Sequence, residues 1–168
     1  MKFLKLYFVA SAVLACTAVF AGQAMGLKVK NWQALYNEGA RLFGKMDAKG
    51  LASHMTPDWK SFGPDGKLRE SGNTTETMTK SFAGLKSMHA HFKVLSVKGD
   101  RNGVVVHGSF VFSVVTKPGP DKKTHRIVQT GVTNDKWIMK AGKWLMADER
   151  TVKESNTMDG KPMPAGAG

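Results

Sequence analysis

One cysteine, Cys16, and two tyrosines, Tyr7 and Tyr36, are all that the 168 residues contain of those types. A lone cysteine near the start excludes a disulfide framework, so a packed core must hold the folded part. Acids are scarce as well: 13 Asp and Glu face 25 Lys and Arg, a formal charge of +12. The lysines are scattered from Lys28 to Lys98 without a long basic run. Specific nucleic-acid binding usually concentrates charge on one element, so none is expected. Such a charge reads as a solvated basic surface, or alternatively as one that adheres weakly to an anionic membrane or polysaccharide. The sequence has no G-x-S-x-G elbow and no phosphate-binding loop, and no cofactor is expected.

What is present begins with Lys2 and Lys5, followed by the uncharged run LYFVASAVLACTAVFA. A short basic start, an apolar stretch and then small residues describe a secretory signal peptide. The run is shorter than the ~20 residues of a membrane span. Residues 1–24 are therefore read as signal, with cleavage after Ala21 or Ala24, and the protein as exported to a periplasm or the outside. Val13-Leu14-Ala15-Cys16 also resembles a bacterial lipobox, and a lipid on Cys16 would anchor the chain. The apolar run continues past it to Ala21, which favours cleavage.

The folded domain is expected over 27–155. Asn31 is read as a helix cap, with Trp32, Leu35, Tyr36, Gly39, Leu42, Phe43 and Met46 recurring at helical spacing. Asp47 opens a short second helix that Thr56-Pro57 stops, because the residue before proline avoids helical geometry. Pro64-Asp65-Gly66 is turn chemistry, joining Trp59–Phe62 to Lys67–Arg69 in a small hairpin. Asn73 and Glu76 suggest a capping box for a third helix with Met78, Phe82, Leu85 and Met88 on one face. From His89 the period becomes two, over four strand-like stretches with turn-like breaks at 100–103, 118–121 and 141–142. Short gaps imply antiparallel neighbours. Residues 156–168 read as a disordered tail. The class is α+β, with helices packed on one face of a sheet.

Pro57-Asp58-Trp59, Gly63 and Asp65-Gly66, followed by the closing D-x-W-x-x-x-x-G-x-W of Asp135, Trp137, Gly142 and Trp144, carry a resemblance. In this order they resemble the nuclear transport factor 2-like superfamily, in particular its SnoaL-like and ketosteroid isomerase-like members, over Leu27 to Glu154. The resemblance implies a cone: N-terminal helices packed in a curved antiparallel sheet, a pocket at the wide end, and homodimers through the outer face. Such families include isomerases, cyclases, dehydratases, transport factors and proteins without a known reaction, so the fold leaves function open.

Alternate residues of a strand share a face. Counted straight, Trp144, Met146, Asp148 and Arg150 lie together, so Asp148 and Arg150 are expected inside the cone near its mouth. There they would either line a ligand pocket or form an internal ion pair that orients the strand. The resemblance implies that Trp59 and Phe62 flank the mouth, unless they simply pack the hairpin on the sheet; Gln129 would add a polar contact, and His54 would either reach the pocket or end its helix. His89 and His91 share a strand face but lack a third ligand, so no metal is expected. His107 is expected to face outward or into a dimer interface. Three functions fit: a binder of a small, partly apolar ligand; an isomerase, cyclase or dehydratase with Asp148 as base and Arg150 as oxyanion partner; or a dimeric interaction module with a vestigial pocket. The carboxylate–tyrosine pairing of ketosteroid isomerase-like members finds only Tyr36, on the apolar face of the first helix.

Overall fold

Apolar residues at helical spacing build α1 (Val29–Lys45), which buries Trp32, Tyr36, Gly39, Leu42 and Phe43. The computed structural model describes residues 26–72, 74–100 and 102–163, so the expected signal peptide and lipobox lie outside the described residues. Helix α1 starts two residues before Asn31, with Lys28 at the cap position and no side chain capping it. It ends where Met46 turns left-handed (φ 53°) and its N–H bonds to the carbonyls of Leu42 and Phe43. Asp47 then caps α2 (Ala48–Ala52) as expected, accepting from the Gly50 N–H at 2.8 Å.

The chain becomes extended earlier than Pro57 suggests, in β1 (Met55–Phe62), and returns in β2 (Leu68–Ser71). Pro57 falls where the register of β1 with its other neighbour is broken, and a proline has no N–H for a ladder. Helix α3 (Thr74–Ala83) is shorter than expected: Leu85 and Met88 belong to β3 (Leu85–Asp100). A register shift between Leu85 and Ser87 lets both point inward, which mimics helical spacing in the sequence. Three long strands follow, β4 (Gly103–Thr116), β5 (Arg126–Lys140) and β6 (Lys143–Met158). The stretch from Asn156, read as tail, continues β6 to Met158 and turns back at Asp159-Gly160 into β7 (Lys161–Pro162). Its polar composition hid the backbone pairing of Gln129 with Asn156 and of Ile127 with Met158.

The seven strands form one sheet, in the order β2-β1-β6-β5-β4-β3, with β7 on β6. Neighbours are antiparallel except β1 and β6, which run parallel. This curled, unclosed sheet with a few N-terminal helices is the α+β layout expected.

Helix α1 lies against β3 and is fixed there by one side chain. Gln33 donates from Nε2 to the Phe92 carbonyl at 2.9 Å and accepts from the Val94 N–H at 2.8 Å. Phe43 of α1 packs on Phe92, Phe110 and Phe112 in a cluster whose neighbouring centroids lie 5.1–6.1 Å apart, at edge-on or tilted angles. Each such pair contributes about 0.5–1.5 kcal/mol beyond area burial. Gly131 allows Phe110 to press on β5, since a Cβ there would lie 2.5 Å from Phe110 Cζ.

Candidate functional site

Strand β6 decides which side chains enter the interior, and it does not run straight. Trp137 pairs with Met146, but Lys136 pairs with Asp148, so Ala147 is an extra residue. Val132 pairs with Lys153 and Thr133 with Thr151, so Val152 is a second one. Each bulge reverses the alternation beyond it. Met146 is therefore inward, then Glu149 and Thr151, then Glu154 and Asn156. This overturns the straight count: Asp148 and Arg150 face outward, on the side of Lys60 and Phe62, their register partners on β1. Arg150 is exposed, 3.3 Å from Asp148 and 4.1 Å from the centre of the Phe62 ring.

Register partners share a face, so a row of inward side chains can be followed across four strands: Glu70 on β2, Ser61 on β1, Glu149 on β6 and Asp135 on β5. A chain poor in acids places three of them together inside. Glu149 and Asp135 are 1% exposed and Ser61 is 3% exposed. Neither oxygen of Glu149 has a hydrogen-bond partner among the described groups, and Asp135 Oδ1 has none. The other oxygen of Asp135 accepts from the Tyr36 hydroxyl at 2.5 Å, and that hydroxyl accepts from Trp137 Nε1 at 3.2 Å. Further along the same face, Arg69 is bidentate to Glu154 at 2.5 and 2.8 Å, and Gln129 Nε2 reaches Glu154 at 3.3 Å.

Burial dominates the electrostatics. It raises the Asp135 carboxyl to about 7, against the opposing pull of the Tyr36 hydrogen bond. It holds Glu149 well above the usual carboxylate range, and the charge of Asp135 adds to this. Burial also raises Glu70, which a hydrogen bond from Thr77 offsets in part. Tyr36 is raised by burial and by Asp135. Asp135 thus keeps a proton up to about pH 7, the condition under which a carboxyl group serves as an acid or as a hydrogen-bond donor. Among the described residues no group of three His, Cys, Asp or Glu is arranged to hold a metal ion.

No family model matches the sequence, nor does any curated protein. Solved structures do match. A protein from Kribbella flavida superposes with a TM-score of 0.59 over 80% of this chain and 91% of that one, at 12% identity. A candidate scytalone dehydratase from Novosphingobium aromaticivorans gives 0.57 over 76% and 85%, at 11% identity. A hexachlorocyclohexane dehydrochlorinase gives 0.55 over 80% and 87%, at 12% identity. The fold is the nuclear transport factor 2-like cone. At these identities the likeness extends to the fold alone.

Within the cone, the other expected positions separate. Gln129 points inward and is 5% exposed, with Oε1 unpartnered. Trp59 is fully buried in the core with its Nε1 unpartnered. Phe62 lies on the outer side beneath Arg150. His54 follows α2, and its carbonyl accepts from the Met146 N–H at 2.8 Å, pinning β6 to the helix end. Burial lowers its imidazole to about 4. His89 and His91 are both exposed, and His107 bonds Asn134 across the outer face at 2.8 Å. A surface groove of about 360 Å³ lined by Lys49, Ala52, Ser53, Met55, Thr56, Pro57 and Thr75 contains none of the row's carboxyls.

Sequence reasoning missed Asp135, Glu149 and Glu70. Asp135 was open to detection, because it shares strand parity with Trp137, Thr133 and Gln129. The outward position of Asp148 carries a prediction: Asp148→Ala shifts unfolding free energy by less than about 0.5 kcal/mol, as surface substitutions do. Chemical denaturation measures this; a loss of several kcal/mol would return Asp148 to the interior.

Proposed function

We propose that this is an exported protein that holds a small, partly apolar ligand inside the cone, against the row of Glu149 and Asp135. One observation carries the reading: a fully buried carboxyl group with neither oxygen partnered. Such a group costs stability unless it is bonded, and buried polar groups in proteins are bonded. Perturbed titratable groups in a concave interior are also the usual mark of a functional site. Exposed Val111 and Val152 on the outer side give a homodimer an apolar contact, and the basic surface suits weak anionic contacts.

A second reading has its own support. Two adjacent buried carboxyls, both raised by burial, are what proton transfer in an isomerase-, cyclase- or dehydratase-type reaction uses, one as acid and one as base. The names of the structural neighbours, a dehydrochlorinase and a candidate dehydratase among them, agree with that class. The base would be Asp135 or Glu149, in place of Asp148.

Native mass spectrometry of protein recovered gently from its own host tests the binding reading. The expected result is a reproducible extra mass that Glu149→Gln loses and Asp148→Asn keeps. Protein that carries nothing, in a form that still binds no small molecule when soaked in host extract, would overturn it.

A further inference from the structure

Two turns at one end of the sheet are joined by a single imidazole. His125 closes the connection from β4 to β5, and Asp159 stands at the turn from β6 to β7. His125 Nδ1 lies 2.8 Å from Asp159 Oδ2, and its Nε2 lies 2.9 Å from Asp121 Oδ2. Ionised carboxylates only accept, so the ring satisfies both partners only as the imidazolium, with a proton on each nitrogen. The backbone fixes the two acids in place. Asp159, in the left-handed region (φ 51°), accepts from the Arg126 N–H at 2.9 Å through Oδ1 and donates its own N–H to the Arg126 carbonyl at 2.8 Å. Asp121 accepts from the Lys123 N–H at 3.0 Å through Oδ1. The His125 N–H donates to the Thr116 hydroxyl at 2.9 Å, at the end of β4.

The charged groups around the ring are Lys117, Asp121, Lys122 and Lys123 in its own connection, Arg126 on β5, and Asp159 and Lys161 in the terminal hairpin. Lys117 is spent on the Ala83 carbonyl, and Arg126 Nε on the Ser113 hydroxyl. Asp159 and then Asp121 hold the imidazole above its ordinary value. What they hold together is the end of β6. Met158 and Met163, one on each arm of the hairpin, pack against the core, and the Met163 N–H donates to the Asn156 carbonyl at 2.9 Å. Across the sheet, Met158 stands on Ile127 and Asn156 on Gln129, and both of those partners are buried. We propose that His125 is a proton-operated clip, which straps the terminal hairpin over this end of the interior when charged and lets it lift from Ile127 and Gln129 when neutral. A neutral ring keeps one N–H, so it holds one turn or the other, and its bare nitrogen faces a carboxylate. The contribution of the clip is full at pH 6.5 and is lost as pH rises through the raised value of His125. At the acid end it fails only where Asp121 and Asp159 take up protons, below 3.8.

Nuclear magnetic resonance of the histidine rings, paired with hydrogen exchange, tests this on the unsubstituted protein. The His125 ring is expected to titrate above 6.5. Protection of the Asp159 and Met163 amides, with the intrinsic pH dependence of exchange divided out, should fall about threefold or more with the same midpoint, the scale of exposed ion pairs. His125→Ala should lower the protection at pH 6 to the level that the unsubstituted protein reaches above that midpoint, and should abolish the step. His91→Ala, an exposed histidine outside the clip, should keep it. Protection that stays constant while His125 titrates would overturn the clip. A His125 value at or below 6.5 would do so as well, and so would a step that survives His125→Ala.

Discussion

At pH 8 the Asp135→Asn protein is expected to unfold roughly 5–15 °C above the unsubstituted one. Removing a charge seldom stabilises a protein, so the sign is informative. Asp135 is 1% exposed, and its carboxyl titrates at about 7 in the fold against 3.8 in the open chain. Once both states are ionised, that difference costs up to about 4 kcal/mol. The carboxyl shares its titration with Glu149, so about 2–4 kcal/mol is the range to look for. Asparagine keeps an oxygen to accept from Tyr36 and carries no charge to bury. A destabilised variant at pH 8 would mean that Asp135 is ionised and well partnered in the fold.

The pH dependence follows with a definite sign. Between about pH 4 and 7 the folded protein keeps a proton on Asp135 that the unfolded chain has lost. Stability from this group is therefore full below pH 4, falls as pH rises to about 7, and is level above. Glu149, raised by burial, acts in the same direction from its own ordinary value upward. His54 opposes them. Its imidazole is lowered to about 4, so stability falls as pH drops from 6.5 towards 4. The unsubstituted protein should show a falling profile from pH 4 to 7, and Asp135→Asn a flatter one, in which Glu149 and His54 oppose each other. Thermal melts across that range read both. A pair of buried acids kept at such a cost to stability is what a site selected for function looks like.

The sequence was a good guide where one side chain reports one position. Trp32, Tyr36 and Phe43 lie at helical spacing and are all inward on α1. The Asp135-to-Trp144 pattern, with its turn at Ala141-Gly142, marked the last hairpin and the cone. It was a poor guide where a single residue changes the count. The bulges at Ala147 and Val152 involve no glycine and no proline, the residues that mark a break in a strand. Nothing in KWLMADERTVK distinguishes a straight strand, with Asp148 inside, from a bulged one with Glu149 inside. The bulge is set by the partner strands: β5 must bring Asp135 opposite Glu149, and β1 must bring Ser61 to its other side. That information is tertiary. The same limit applies at the end of β6, where Asn156 is strand only because Gln129 stands opposite it.

Tyr36→Phe is expected to cost about 2–5 kcal/mol, although it removes a single oxygen from a chain that buries three tryptophans and a phenylalanine cluster. The oxygen does two things. It donates to Asp135 at 2.5 Å and accepts from Trp137 at 3.2 Å, and all three side chains are buried. Phenylalanine preserves the ring contacts with Phe92 and Trp137, whose centroids lie 5.8 and 6.0 Å away. Packing is thus unchanged, and the loss reports hydrogen bonding alone. It leaves an indole N–H without its acceptor and takes from a buried carboxyl one of its hydrogen bonds, the Thr133 hydroxyl remaining, each at about 1–3 kcal/mol. The lost bond also favoured the ionised carboxyl, so Asp135 should titrate higher still in the variant. A double-mutant cycle separates these effects. If the Tyr36–Asp135 bond carries the cost, Tyr36→Phe in the Asp135→Asn background should be milder by about 1 kcal/mol or more. Strict additivity would place the whole cost on Trp137, and a change below about 0.5 kcal/mol in either background would mean that the bond is not formed. The bond also links α1 directly to the acidic row. Its loss should loosen the helix over Glu149 and raise amide exchange at Trp32 to Tyr36, a readout that packing alone would leave unmoved.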